Sequence, residues 1–221
     1  MSLRETTRVF LVDDHPLVRE SLASLIARQD DLVVCGEAGS ASSALATIGA
    51  AKPDVAIVDI SLDGRSGLEL IRDLKLMFPR IAVLVLSMHD EQVYAERALR
   101  AGARGYIMKR EATKKVVEAV RRVREGKLYL SDRIAATLTE RLVVGKGADD
   151  SSPVSRLSDR ELEVFRLLGQ GRGTREVAEM LSLSAKTVQA YCARIKEKLG
   201  LESSTQLLRE AVRWLEEEAR H

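Results

Sequence analysis

Three aspartates, a serine and a lysine stand where apolar runs stop. Asp13 and Asp14 follow "VFLV", Asp59 follows "VAIV", Ser87 closes "AVLVLS" and Lys109 closes "GYIMK". Ionised carboxylates against buried surface are costly unless a cation offsets them, so three acids in one place imply a partner of opposite charge. Hard oxygen donors of this kind suit Mg²⁺, which keeps several waters and accepts a phosphate oxygen. A lysine and a hydroxyl on the other side would hold the remaining phosphoryl oxygens. The set therefore has the parts to place a phosphoryl group on a carboxylate, with Asp59 as the acceptor. Singly, each residue has a plainer role: strand-end aspartates cap turns, Ser87 can cap a helix opening at Asp90, and Lys109 can be a solvated charge. Four strand ends with complementary chemistry are harder to assign to caps. His15, beside the acids but followed by Pro16, reads as the start of a helix rather than a catalyst.

These residues meet only if their strands lie side by side. From Arg8 to about Glu125 the chain alternates apolar strand segments ("RVFLVD", "LVVCGEA", "VAIVDI", "AVLVLS", "GYIMK") with segments of helical period, such as Leu17, Leu22, Leu25, Ile26 and Val93, Ala95, Ala98, Leu99. A last helix is expected near Ala112–Arg124. The pattern predicts an α/β fold, a five-stranded doubly wound parallel sheet with helices on both faces. Such sheets place ligands at the carboxyl ends of their strands, where the acids stand.

After Gly126 the rhythm changes. "SDRIAATLTERLV" reads as one amphipathic helix capped by Ser131 or Asp132, and Gly145–Ser155, "GKGADDSSPVS", as a flexible linker. Beyond it Leu157–Ala219 reads as an all-α region of four helices. The expected division is 1–128, a helical and Gly/Ser-rich connection over 129–155, and 156–221. "LSDRE" is a capping box with Ser158 and Glu161, "GQGRG" stops that helix, Thr174 caps the next, and Ser184 caps a third after the turn "SLS". Val188, Tyr191 or Cys192, Ile195 and Leu199 form the inner stripe of this third helix. Two helices joined by a short turn form a helix-turn-helix pattern. The outer face carries Lys186, Thr187, Gln189, Ala190, Ala193 and Arg194, with Lys196 and Lys198 adding charge. Lys186, Thr187 and the helix N-terminus suit phosphates, Gln189 suits adenine, and the two alanines suit thymine methyls. A generic helical hairpin with one solvated charged face is the plainer alternative.

Composition sets the limits. A chain of 221 residues with 45% hydrophobic and 31% charged residues is globular rather than disordered. Its net charge of +2 conceals no basic half: Lys and Arg outnumber Asp and Glu by 20 to 18 in residues 1–130 and by 12 to 11 in 151–221. Any nucleic-acid surface must come from placement on one face. No apolar run approaches the roughly 18 residues of a membrane helix, and the N-terminus shows no export signal, so a cytoplasmic protein without membrane contact is expected. Cys35 and Cys192, far apart in apolar settings, read as buried free thiols.

"FLVDDHPLVR", "AIVDISLDGRSGLEL", "VLVLSMHDE" and "GARGYIMKREAT" resemble the receiver domain of bacterial two-component response regulators, a flavodoxin-like fold, over residues 7–128. "LSDRELEVFRLLGQG" and "EVAEMLSLSAKTVQAYCARIKEKLG" resemble the LuxR-type DNA-binding domain. Together they resemble regulators of the NarL/FixJ type. The resemblance implies that Asp13 and Asp14 hold Mg²⁺ with Asp59 and the backbone carbonyl of Ser61, and that Asp59 accepts the phosphoryl group. Ser87 and Tyr106 would be the switch pair and Lys109 the phosphate-binding lysine. It further implies a partner histidine kinase, DNA as ligand, and a homodimer when active, formed through a final helix near Ser203–Glu218 carrying Leu207, Leu208, Val212 and Leu215. The protein is expected to be a regulator rather than an enzyme. A phosphorylation-independent DNA-binding regulator, with the receiver as a dimerisation module, is the alternative; an aspartate-based phosphohydrolase would want an acid where Ser61 stands. The chain departs from the family at Leu62 and Asp63, at Arg110 in place of the frequent proline, and at Gln189 and Tyr191, where lysine and histidine are common.

Overall fold

The structure, a computed structural model, describes residues 6–62, 65–144 and 153–218. The chain divides into two compact units, Met1–Thr137 and Leu138–His221. In the first unit, β1 (Thr7–Val12), β2 (Leu32–Ala38), β3 (Val55–Val58), β4 (Ala82–Ser87) and β5 (Gly105–Met108) form one sheet. The order is β2-β1-β3-β4-β5 and every pair is parallel. The winding reverses between β1 and β3, which sets their carboxyl ends side by side at a topological switch point. The connections are α1 (Pro16–Ala27), α2 (Ala41–Ala51), α3 (Gly67–Met77) and α4 (Glu91–Ala101), and α5 (Ala112–Arg124) follows the last strand. This is the expected receiver fold.

Strand alternation divides the core between two faces. Val9, Leu11, Ile57, Leu84 and Ile107 pack against Leu22 and Ile26 of α1 and Val116, Val120 and Val123 of α5. Their neighbours Phe10, Val12, Ala56, Val58, Val83 and Val85 are also buried, with Ile48, Leu70, Ile71, Leu74, Ala95 and Ala98 from α2, α3 and α4. Each such Val, Leu, Ile or Phe side chain contributes about 1.5–3 kcal/mol by leaving water. β2 lies at the sheet edge and is only partly covered. Cys35 on it is therefore half-buried, not buried as its sequence setting suggested, and Cys192 is likewise half-buried.

α6 (Asp132–Val144) starts inside the first unit, with the Ser131 hydroxyl accepting from the Ile134 amide at 3.3 Å. The unit ends at 137, beyond the 128 expected from the sequence, because residues after α5 remain attached. Tyr129 pairs with Gly105 of β5, and Ile134 is buried. Most of the Gly/Ser linker, 145–152, and Asp63 lie outside the described residues.

The second unit holds α7 (Asp159–Gly169), α8 (Thr174–Met180), α9 (Ala185–Leu199) and α10 (Ser204–Glu218), the four helices expected. Leu162, Phe165, Val177, Val188, Ile195, Leu207, Ala211 and Trp214 are buried in it, and the Phe165 and Trp214 rings lie 5.7 Å apart. Gly169 permits the close approach of α10, since a Cβ there would fall 2.5 Å from the Ala211 carbonyl oxygen. Ser158 and Glu161 form the expected capping box. The cap of α8 differs. Gly173, not Thr174, precedes the helix, and the Glu176 carboxylate accepts its amide at 2.8 Å, leaving Thr174 as the first helical residue.

Candidate functional site

The carboxyl ends of β1, β3 and β5 bring their charged residues within contact distance. The Asp59 amide donates to the Val12 carbonyl at 2.9 Å, which ties the end of β3 to that of β1. Asp13 and Asp59 are both 2% exposed, too buried to be solvated caps. Lys109 reaches both: its Nζ lies 2.6 Å from Asp13 Oδ2 and 2.7 Å from Asp59 Oδ2. The other oxygen of each acid accepts a backbone amide, Asp13 from His15 at 2.9 Å and Asp59 from Ser61 at 3.3 Å. Gly67 keeps the loop after β3 tight, because a Cβ there would sit 2.0 Å from the Asp59 carbonyl oxygen.

Burial pushes the Asp59 carboxyl above the usual carboxylate range, against the lowering pull of Lys109. Burial also works against the Lys109 ammonium, but Asp59 and Asp13 together outweigh it and hold its pKa up. One lysine shared by two acids explains both directions: the lysine has two partners, and each acid has a share of one. Asp14 is more open and lies 2.7 Å from His15 Nδ1; that hydrogen bond raises the histidine pKa. His15 itself is the N-cap position of α1, as expected. Ligand atoms of Asp13, Asp14, His15 and Asp59 lie within 4.8 Å of one another. Three carboxylates in this cluster fit a hard divalent cation.

Ser87 is fully buried at the end of β4, and its Oγ accepts the His89 amide at 3.2 Å. Tyr106 on β5 is 2% exposed and donates its hydroxyl to the His89 carbonyl at 2.9 Å. The Lys109–Arg110 bond is trans. His89 is a site residue that the sequence argument missed. Its ring stacks on Tyr94 at 4.6 Å, and its Nε2 lies 2.6 Å from Ser61 Oγ, so it bridges the loops after β3 and β4. The available signal was its place two residues after Ser87, matched by Ser61 two residues after Asp59.

In the second unit, the turn Leu181–Ser184 joins α8 to α9, with Ser182 in the left-handed region at φ +53°. Ser184 caps α9, accepting the Thr187 amide at 3.0 Å. Lys186, Gln189, Ala190, Ala193 and Arg194 are exposed, Thr187 and Lys196 are half-buried, and Val188 and Ile195 face the core. The Arg194 guanidinium lies 5.8 Å from the centre of the Tyr191 ring. Lys198, grouped by sequence with the DNA-facing cations, is directed elsewhere: its Nζ pairs with buried Glu161 at 2.6 Å and donates to the Arg156 carbonyl. Of the four apolar residues assigned to pairing on α10, Leu207 points into its own core, while Leu208 and Val212 are exposed and Leu215 half-buried.

Both units match known protein families. Residues 9–121 match the response regulator receiver domain family, and residues 155–211 the bacterial regulatory proteins of the luxR family. The DNA-binding transcriptional activator DevR/DosR of Mycobacterium tuberculosis is 38% identical over 90% of this chain and 91% of its own length. The oxygen regulatory protein NreC of Staphylococcus haemolyticus is 35% identical over 93% of this chain and 97% of its own. RcsB of Salmonella enterica serovar Typhimurium, solved on promoter P1flhDC with phosphomimetic BeF3-, superposes with a TM-score of 0.68 at 25% identity. That match covers 94% of this chain and 98% of the RcsB chain.

Proposed function

The chain belongs to the response regulators that join a receiver domain to a LuxR-type DNA-binding domain, and from that premise we propose that phosphorylation of Asp59 governs DNA binding through α9. The observation that carries this is the arrangement at Asp59: a buried carboxylate held by Lys109 beside a second buried acid, at the carboxyl end of the central strand.

Asp13, Asp14 and Asp59, with the Ser61 backbone carbonyl, would hold Mg²⁺, which when bound neutralises charge on the carboxylates and on the transferred phosphoryl oxygens. An Asp59 oxygen attacks the phosphorus of a phosphohistidine on a partner kinase, or of a small phosphodonor. The bond from phosphorus to the leaving group breaks with its electron pair, and an acyl phosphate forms on Asp59. Lys109 then turns from the two carboxylates to a phosphoryl oxygen. Ser87 gives up the His89 amide and donates its hydroxyl to another, and Tyr106 follows the loop. On α9, Lys186, Thr187 and Arg194 meet phosphates, while Gln189, Ala190 and Ala193 face base edges. Leu208, Val212 and Leu215 of α10 pair two copies so that two α9 helices meet two half-sites.

The test has two parts. Incubation with Mg²⁺ and acetyl phosphate gives a phosphoryl mass gain in the wild-type chain and none in Asp59→Ala. Selection of DNA from random sequence then enriches a paired half-site with phosphorylated protein. An absence of wild-type phosphorylation refutes the switch. Equal DNA affinity with and without phosphodonor favours the phosphorylation-independent regulator instead.

A further inference from the structure

Between α5 and α6 the chain is attached to two different elements. Arg104 donates a guanidinium hydrogen to the Gly126 carbonyl at 2.9 Å. The Tyr129 amide donates to the Arg104 carbonyl and the Tyr106 amide to the Tyr129 carbonyl, both at 2.9 Å, so Tyr129 adds a short parallel bridge to the free edge of β5. Gly105 allows it: a Cβ there would lie 3.0 Å from the Tyr129 carbonyl oxygen. Two residues later the Ser131 hydroxyl donates to Glu91 Oε1 at 2.7 Å. Glu91 is the first residue of α4. One short segment is thus bonded to β5 at Tyr129 and to α4 at Ser131, and Ser131 also caps α6, the helix that leads out of the first unit.

The two anchors belong to the two arms of the switch. β5 carries Tyr106, whose hydroxyl bonds the His89 carbonyl, and Glu91 lies four residues after Ser87, where that loop passes into α4. We propose that Tyr129 and Ser131 form a latch that binds the start of α6 to β5 and α4 in the unphosphorylated protein and opens when Asp59 is phosphorylated. The inference rests on the phosphorylation switch proposed above. When Ser87 turns to the phosphoryl group it releases the His89 amide, and the loop from Met88 to Glu91 re-forms. A segment fixed to both β5 and α4 cannot follow both when the loop shifts against the strand, so the weaker attachment, a single side-chain hydrogen bond at Glu91, parts first, and the Tyr129 bridge, left as the sole anchor, opens after it. Freeing the chain after Gly126 lengthens the tether between the units and changes the effective concentration at which they meet each other or a second copy. The latch thereby converts a rearrangement at the acceptor site into a change in the reach of the DNA-binding unit.

Hydrogen exchange on the full chain, with and without Mg²⁺ and beryllofluoride, tests this. In the wild type, exchange of the amides of Tyr129 and Ile134 should rise by about tenfold when beryllofluoride is added. Glu91→Ala removes the latch bond, so that the Ser131 hydroxyl is no longer held in place to cap α6, and leaves the acceptor site intact. It should show the raised exchange without beryllofluoride and phosphorylate Asp59 at the wild-type rate. It should also narrow the ratio of DNA affinities with and without phosphodonor by about threefold or more. Ser131→Thr, which keeps the hydroxyl, should behave as wild type. If beryllofluoride changes DNA affinity but not these amides, or if Glu91→Ala keeps the full ratio, the latch is wrong and the switch stands. If beryllofluoride changes neither, both fall.

Discussion

A single ammonium serves two buried carboxylates at the carboxyl ends of β1 and β3, and this makes Lys109 a competitor of any cation that enters. Replacing it by alanine leaves Asp13 and Asp59 uncompensated. Without metal, the first unit should lose about 3 kcal/mol of stability in denaturant unfolding. Mg²⁺, freed of its competitor, should bind about tenfold more tightly in calorimetric titration. Unchanged affinity would mean that Lys109 does not compete with the metal for these carboxylates. In the second unit Glu161 plays a structural part that its capping-box motif only half revealed. Burial raises its pKa, but Lys198 and the Ser158 amide outweigh this, and the net value is lowered. A depressed folded pKa stabilises above the unfolded carboxylate pKa, about 4.3, and that contribution is lost as pH falls through the folded value. The thermal midpoint of the second unit should therefore drop on acidification below about pH 4.3, and Glu161→Gln should flatten that part of the curve. The acids and the lysine that meet at the strand ends were visible in sequence because each ends an apolar run. His89 was not, since its contacts to Ser61, Tyr94 and Tyr106 cross four segments of chain.

At the scale of elements, periodicity and capping chemistry located the strands and helices closely; α5 runs Ala112–Arg124, the span expected. The differences arose where a side chain from the far end of a turn supplied the cap. Glu176 reaches back to Gly173, a position with no side chain of its own to announce it. The turn between α8 and α9 is another place where geometry adds to pattern. Ser182 at φ +53° holds a conformation that costs L residues with a Cβ about 1–2 kcal/mol. Ser182→Gly should accordingly stabilise the second unit by about 0.5–1 kcal/mol in denaturant unfolding, after the added chain entropy of glycine is subtracted. A loss of stability would show that the Ser182 side chain contributes more than its backbone costs.

For the whole molecule, the outward residues of α10 carry the prediction. Leu208 and Val212 are exposed, whereas Leu207, Ala211 and Trp214 fill the core, so the helix has one face for its own unit and another left over. Leu208→Glu should leave unfolding free energy within about 0.5 kcal/mol of wild type. It should weaken binding of phosphorylated protein to a paired half-site by about tenfold, with little effect on a single half-site. Equal losses on both sites would place Leu208 outside the pairing surface.

The sequence by itself determined the two-part organisation, the order of elements and the charged residues that stand at the strand ends, because these follow from local period, turn chemistry and residue type. Tertiary structure decided which of those residues share an electrostatic environment. Lys109 meets Asp13 and Asp59 only because the winding reverses between β1 and β3 and brings distant strand ends together. Lys198, by contrast, is directed to Glu161 because burying that carboxylate demands a cation. The attachment of Tyr129 and Ser131 to β5 and α4 was equally invisible in sequence, since a backbone bridge and one hydroxyl bond leave no periodic trace. Local pattern specifies what each segment can be; the compensation of charge and the pairing of backbone across the fold decide what each residue touches.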